Sequence, residues 1–97
     1  MADLQVVALI AAKTGSERVV GDALRALRES AQSEQGCVAF DLFTSTADTA
    51  TFVAIERWRS QADLDAHLNS PQVRQAFEAV GDRLAQPPAI HPLSEAG

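Results

Sequence analysis

The chain is short of several things at once: one cysteine, one tryptophan, no tyrosine and eight basic residues in a length of 97. A lone cysteine cannot build an internal disulfide framework, and no Cys or His spacing of the zinc-finger kind is present, so no crosslink and no structural metal is expected. The eight Lys and Arg are scattered and outnumbered by thirteen Asp and Glu. A net charge of −5 argues against nucleic acid as a partner, because phosphate binding needs clustered cations. No apolar run approaches the ~20 residues that span a bilayer. Met1-Ala2-Asp3 is acidic and is not followed by a signal-peptide pattern, so a cytoplasmic protein with no membrane partner is expected. A nucleophile elbow, a phosphate loop and a dinucleotide fingerprint are all missing, which leaves cofactor chemistry without a visible anchor.

What is present fits one small domain over residues 1–97, with a tail at about 94–97. A chain this short buries only roughly 60–65% of its unfolded surface, so association with another copy is a natural source of further burial. Leu4 to Ala12 is almost continuously apolar and reads as a strand buried on both faces. Thr14 and Glu17 have capping-box spacing ahead of a helix reaching about Ser33, with Val20, Ala23, Leu24, Leu27 and Ala31 as its buried stripe. Cys37 to about Thr44 forms a second strand with Val38, Phe40 and Leu42 on its apolar side. A polar turn joins it to a third strand, about Thr51 to Arg59. There Phe52, Ala54, Glu56 and Trp58 share one face, while Val53, Ile55 and Arg57 share the other.

Ser60, followed by Asp63, caps a short helix over roughly Gln61 to Leu68 that buries Ala62, Leu64 and Leu68. Ser70-Pro71 starts another helix with Val73, Ala76, Phe77, Val80 and Leu84 in period. Ala89 to Leu93 makes a last edge strand, the place Pro92 favours. The order predicts an α+β, ferredoxin-like βαββαβ domain: a four-stranded antiparallel sheet with the helices on one face. Val7, Leu9, Val53 and Ile55 are then left on the other face, with no spare segment to cover them, and a homodimer is expected.

The candidate chemistry lies on the helical side. The Trp58 indole can stack on a planar ligand and its N–H can donate one hydrogen bond. His67 can act as a general base near neutral pH. Glu56 is a carboxylate among apolar neighbours and, if buried, could carry a proton. Phe40, Phe52 and Phe77 are either pocket lining or plain core, and Cys37 is a small filler. His91, beside Pro92, reads as structural.

Several segments together resemble the antibiotic biosynthesis monooxygenase family of small dimeric α+β barrel proteins. They are the first strand ending Ala11-Ala12-Lys13-Thr14-Gly15, the stretch Glu34-Gln35-Gly36-Cys37-Val38-Ala39-Phe40-Asp41-Leu42, then Phe52-Val53-Ala54-Ile55-Glu56-Arg57-Trp58, Asp65-Ala66-His67-Leu68, and Ser70-Pro71. The resemblance implies a dimeric α+β barrel. It implies a cofactor-independent monooxygenase that acts on a small aromatic or polycyclic phenol or quinol with dioxygen, using no metal and no flavin. The family also includes haem-degrading members with an Asn on the first strand and an axial His on the last helix. Ala8 and Phe77 stand at the matching positions here, so haem chemistry is not expected and both become candidates for pocket lining with Phe40 and Phe52. With no tyrosine in the chain, a phenol-assisted step of the kind seen in relatives is absent. The resemblance leaves two other activities open: an isomerase of a small carbonyl compound using His67 and Glu56, and a non-catalytic ligand-binding or stress protein.

Overall fold

A computed structural model describes residues 3–97; Met1 and Ala2, part of the acidic N-terminus read from the sequence, lie outside the described residues. Strand β1 (Leu4–Ala11) leads into helix α1 (Glu17–Gln32), then β2 (Cys37–Thr44), β3 (Thr51–Trp58), the short helix α2 (Gln61–Leu68), α3 (Pro71–Val80) and β4 (Ala89–Pro92). The sheet order is β2-β3-β1-β4, and every neighbouring pair is antiparallel. This is the expected α+β, ferredoxin-like arrangement, with the second helix broken in two. No helix among the described residues is long and apolar enough to cross a membrane.

The period-2 alternation of the strands decides which side chains meet the helices. On β1, Val6, Ala8 and Ile10 point into the core; on β3, Phe52, Ala54, Glu56 and Trp58 do the same. Helix α1 supplies Val20, Leu24, Leu27 and Ala31, and α2 supplies Leu64. Complete burial of Val6, Val20 and Leu64 contributes about 1.5–3 kcal/mol per side chain against an extended-chain reference. Gly21 faces Phe52, where a Cβ would approach the ring to 3.2 Å, so glycine lets α1 lie low on the sheet.

The structure corrects the sequence reading in five places. First, β1 is buried on one face only, since Leu9 keeps 40% of its exposure. Second, α1 begins after Ser16, not Thr14. Gly15 turns the chain with φ of 90°, and the expected box does not form: Glu17 Oε1 accepts the Gly15 N–H at 2.7 Å and not that of Thr14. Third, Val38 leaves the apolar side of β2. The pairing shifts between Cys37 and Ala39, so one extra residue bulges and Val38 turns to solvent. Fourth, α2 buries Leu64 and His67; Ala62 is exposed and Leu68 half-buried. Fifth, α3 stops at Val80. Gly81 weakens the helix, a 3₁₀ turn follows over Gly81–Arg83, and bonds from Lys13 N–H to Arg83 C=O and from Ala85 N–H to Ala11 C=O draw the chain onto the end of β1. Leu84 therefore bridges to Ala12 and is not the last turn of a helix.

Helix α3 lies against α1 more than against the sheet, which leaves a hollow between the sheet and the α2–α3 pair. Among the described residues, no helix covers the opposite face of the sheet. Phe43, Val53, Leu9 and Ala89 form one cross-strand row on it, and Asp41, Ile55, Val7 and His91 form the next. Ile55 and Phe43 are each about half exposed there, at 49% and 51%.

Candidate functional site

Strand β3 and helix α2 bring three polar or aromatic groups together. Glu56 and Trp58 are two residues apart on β3 and so share its inner face. The Ser60 hydroxyl then caps α2, accepting the Asp63 N–H at 3.1 Å, and this fixes the helix so that His67 in its last turn comes down over the same strand. Trp58 is 1% exposed, His67 3% and Glu56 5%.

The imidazole of His67 stacks on the Trp58 indole, with ring centroids 4.5 Å apart and planes inclined by 32°. Phe40 meets the same imidazole edge-on at 6.0 Å. Trp58 Nε1–H donates to Glu56 Oε1 at 2.9 Å. A carboxylate that nothing in the sequence reading joined to His67, Glu34, places its Oε2 2.7 Å from the imidazole Nδ1. That carboxylate lies in the connection after α1, 33 residues from the histidine, a separation no local spacing rule can detect. Its one trace in the sequence is its place in the Glu34-Gln35-Gly36 segment.

Burial holds the Glu56 carboxyl above the usual carboxylate range, since desolvation penalises its charged form. The Trp58 hydrogen bond and the attraction of His67 pull the other way, and the nearby Glu34 charge raises it further. Cys37 is likewise pushed up by burial and by Glu34 and Glu56, so its thiol keeps its proton and is a poor nucleophile.

Glu56 and His67 line one hollow of about 30 Å³, together with Ala8, Phe40, Phe77 and further aliphatic side chains from every layer. Space of this size takes roughly one or two water molecules, against the ~300–1,000 Å³ of an ordinary ligand pocket. No Lys or Arg lines it among the described residues. Of the expected lining, Ala8, Phe40 and Phe77 are in place. Phe52 is not: it sits farther along β3 beneath Gly21. Trp58 lies behind the wall, with its N–H already engaged, so it orients Glu56 and His67 and offers no free face to a ligand. His91 is exposed on β4 and takes no part. Among the described residues, no group of three or more His, Cys, Asp or Glu side chains is arranged to hold a metal ion.

Comparison with known proteins finds relatives of this sequence and of this fold. Residues 4–79 match the model of a family described as antibiotic biosynthesis monooxygenase. A Mycobacterium tuberculosis protein named "Putative monooxygenase Rv0793" is 40% identical over 81 residues, covering 76% of this chain and 79% of that protein. The solved structure of PA3566 from Pseudomonas aeruginosa superposes with a TM-score of 0.88 at 30% identity, covering 100% of this chain and 97% of that one. A structure from Nitrosomonas europaea reaches a TM-score of 0.90 over 97% of this chain and 90% of its own; at 22% identity that likeness concerns the fold alone.

Proposed function

We propose, from the premise that the chain belongs to the antibiotic biosynthesis monooxygenase family, that it is a cofactor-independent monooxygenase of a small aromatic or polycyclic phenol or quinol. The observation that carries the reading is the pairing of His67 and Glu56 in one hollow whose other walls are apolar. A hydrocarbon-lined hollow favours dioxygen and a neutral ring over water, and the absence of a lining cation disfavours phosphorylated substrates.

The chemistry asks little of the protein. His67 removes a proton from an activated ring carbon or hydroxyl, and the electron-rich anion passes an electron to dioxygen. The two recombine as a hydroperoxide, and loss of water leaves a carbonyl. A ring CH₂ thus becomes C=O, one oxygen atom enters the product, the other leaves as water, and four electrons pass from carbon to oxygen. Glu56, whose carboxyl burial raises above the usual carboxylate range, is suited to supply the proton that the departing hydroxide needs.

A ring cannot enter the hollow at its present size, so its wall must move. Phe77 on α3 and Leu68 at the end of α2 are both half-buried and are the side chains placed to yield. The protein is proposed to work as a homodimer in the cytoplasm, with the open sheet face covered by a second copy. The test is dioxygen uptake with a panel of anthrones and quinols. Uptake with at least one is expected, falling about 10²–10⁴-fold in His67→Ala. Equal rates with and without the imidazole would reject the reading. The small volume of the hollow also suits the isomerase of a small carbonyl compound. Solvent deuterium entering such a compound without oxygen consumption would favour that activity instead.

A further inference from the structure

We propose that Glu34 is a positioning residue for His67: its carboxylate holds the proton on Nδ1, so that Nε2 is the nitrogen left to accept a proton inside the hollow. The proposal rests on the reading of His67 as the base, but it concerns the tautomer of the ring, which can be read with no substrate present.

Three independent features support it. An ionised carboxylate only accepts hydrogen bonds, so at 2.7 Å the imidazole nitrogen facing it is the donor. The ring is 3% exposed, so bulk water does not compete for that nitrogen, while Glu34 keeps 29% of its side-chain exposure and stays in touch with solvent.

The connection that carries Glu34 is also held in place. Glu34 N–H donates to Ala31 C=O at 3.0 Å, Cys37 N–H to Glu34 C=O at 3.1 Å, and Arg59 N–H to Gly36 C=O at 2.9 Å. A Cβ on Gly36 would collide with the Asp63 side chain, so the connection sits hard against the first turn of α2, the helix that presents His67. Glycine is required there by the close approach and not by its backbone angles.

Finally, Trp58 against one side of the imidazole and Phe40 at its edge fix the plane of the ring. Once the plane is fixed, the remaining freedom of a neutral imidazole is which nitrogen carries the proton. Glu34 sets it, as the carboxylate does in a His-carboxylate pair of a hydrolase.

Nitrogen-15 NMR of the full chain tests this directly. His67 and His91 are the only two histidines, and the exposed His91 serves as the internal reference. At the pH plateau where both rings are neutral, wild type is expected to show His67 protonated on Nδ1, the tautomer that free histidine disfavours in water. In Glu34→Ala the population should swing to Nε2–H. Glu34→Gln, whose amide oxygen can accept the same bond, should keep Nδ1–H. A wild-type ring protonated on Nε2 overturns the proposal even if Glu34→Ala fails to fold, and so does an unchanged Nδ1–H in a folded Glu34→Ala. A protein that consumes no dioxygen but shows the expected tautomers refutes the oxygenase reading and leaves this one standing.

Discussion

The two faces of the sheet are built from the same strands and meet opposite environments. On the inner face a glutamate, a histidine and a tryptophan are nearly sealed among aliphatic side chains. On the outer face Leu9, Ile55 and Phe43 remain 40–51% exposed. The inner face buries polar groups and satisfies them with one another: Trp58 with Glu56, and His67 with Glu34. The outer face exposes apolar groups that no helix covers among the described residues. Each arrangement is costly for a folded chain unless something compensates. For the inner face the compensation is internal hydrogen bonding; for the outer face a second copy is the proposed one.

The sharpest way to break the contrast is to empty the inner face. Trp58→Ala is expected to cost about 3–5 kcal/mol in chemical denaturation, the usual range for a buried aromatic, and to leave Glu56 without its donor. Trp58→Phe keeps an aromatic ring beside His67 but loses the N–H and the rest of the indole volume. It should cost far less, and it should push the Glu56 carboxyl higher still, because that hydrogen bond lowers it. Equal losses in the two variants would mean that a smaller aromatic ring cannot hold the site and that the whole indole with its N–H is needed.

The outer face is probed by charge. Leu9→Lys with Ile55→Lys places two like charges on neighbouring strands of a face that a second copy is proposed to cover. Light scattering should report a dimer for wild type and a monomer for the double variant. Were that face open to water, each change would stay within about 0.5 kcal/mol and the mass would not move. An unchanged mass would therefore leave the outer face bare.

The smallest effect concerns Glu56. Its folded-state carboxyl titrates above the usual 4.5, so the folded protein holds that proton more tightly than the unfolded chain does. Stability from this group is complete below the usual carboxylate range and is lost as pH rises through its elevated value. Glu56→Gln keeps an oxygen for the Trp58 N–H and removes the charge. Its Tm should gain a few degrees over wild type at neutral pH, and the advantage should vanish at acid pH. A gap between the two melting curves that stays constant with pH would show that Glu56 is not strained by burial.

Much of this was legible in the chain itself. Alternation in Phe52-Val53-Ala54-Ile55-Glu56-Arg57-Trp58 assigned both faces of β3, because successive side chains of a strand must point opposite ways. The Ser60 and Ser70 caps marked where α2 and α3 begin, because a side-chain oxygen there satisfies a free backbone N–H. The shortcomings were of another kind. Val38 follows the alternation on paper, yet a bulge turns it outward. Leu84 keeps the period of α3, yet pairing with β1 draws it off the helix. Phe52 shares a face with Glu56 but lies too far along the strand to reach the hollow.

By itself, then, the sequence determined the order of elements, the two faces of β3 and the starts of α2 and α3. All of these follow from rules that act between residues a few positions apart. Only the tertiary structure decided that Glu34 meets His67, that Trp58 stands behind the wall of the hollow, and that the hollow is small. Those outcomes depend on how the layers approach one another across tens of residues, where packing and burial set the distances and local periodicity carries no information.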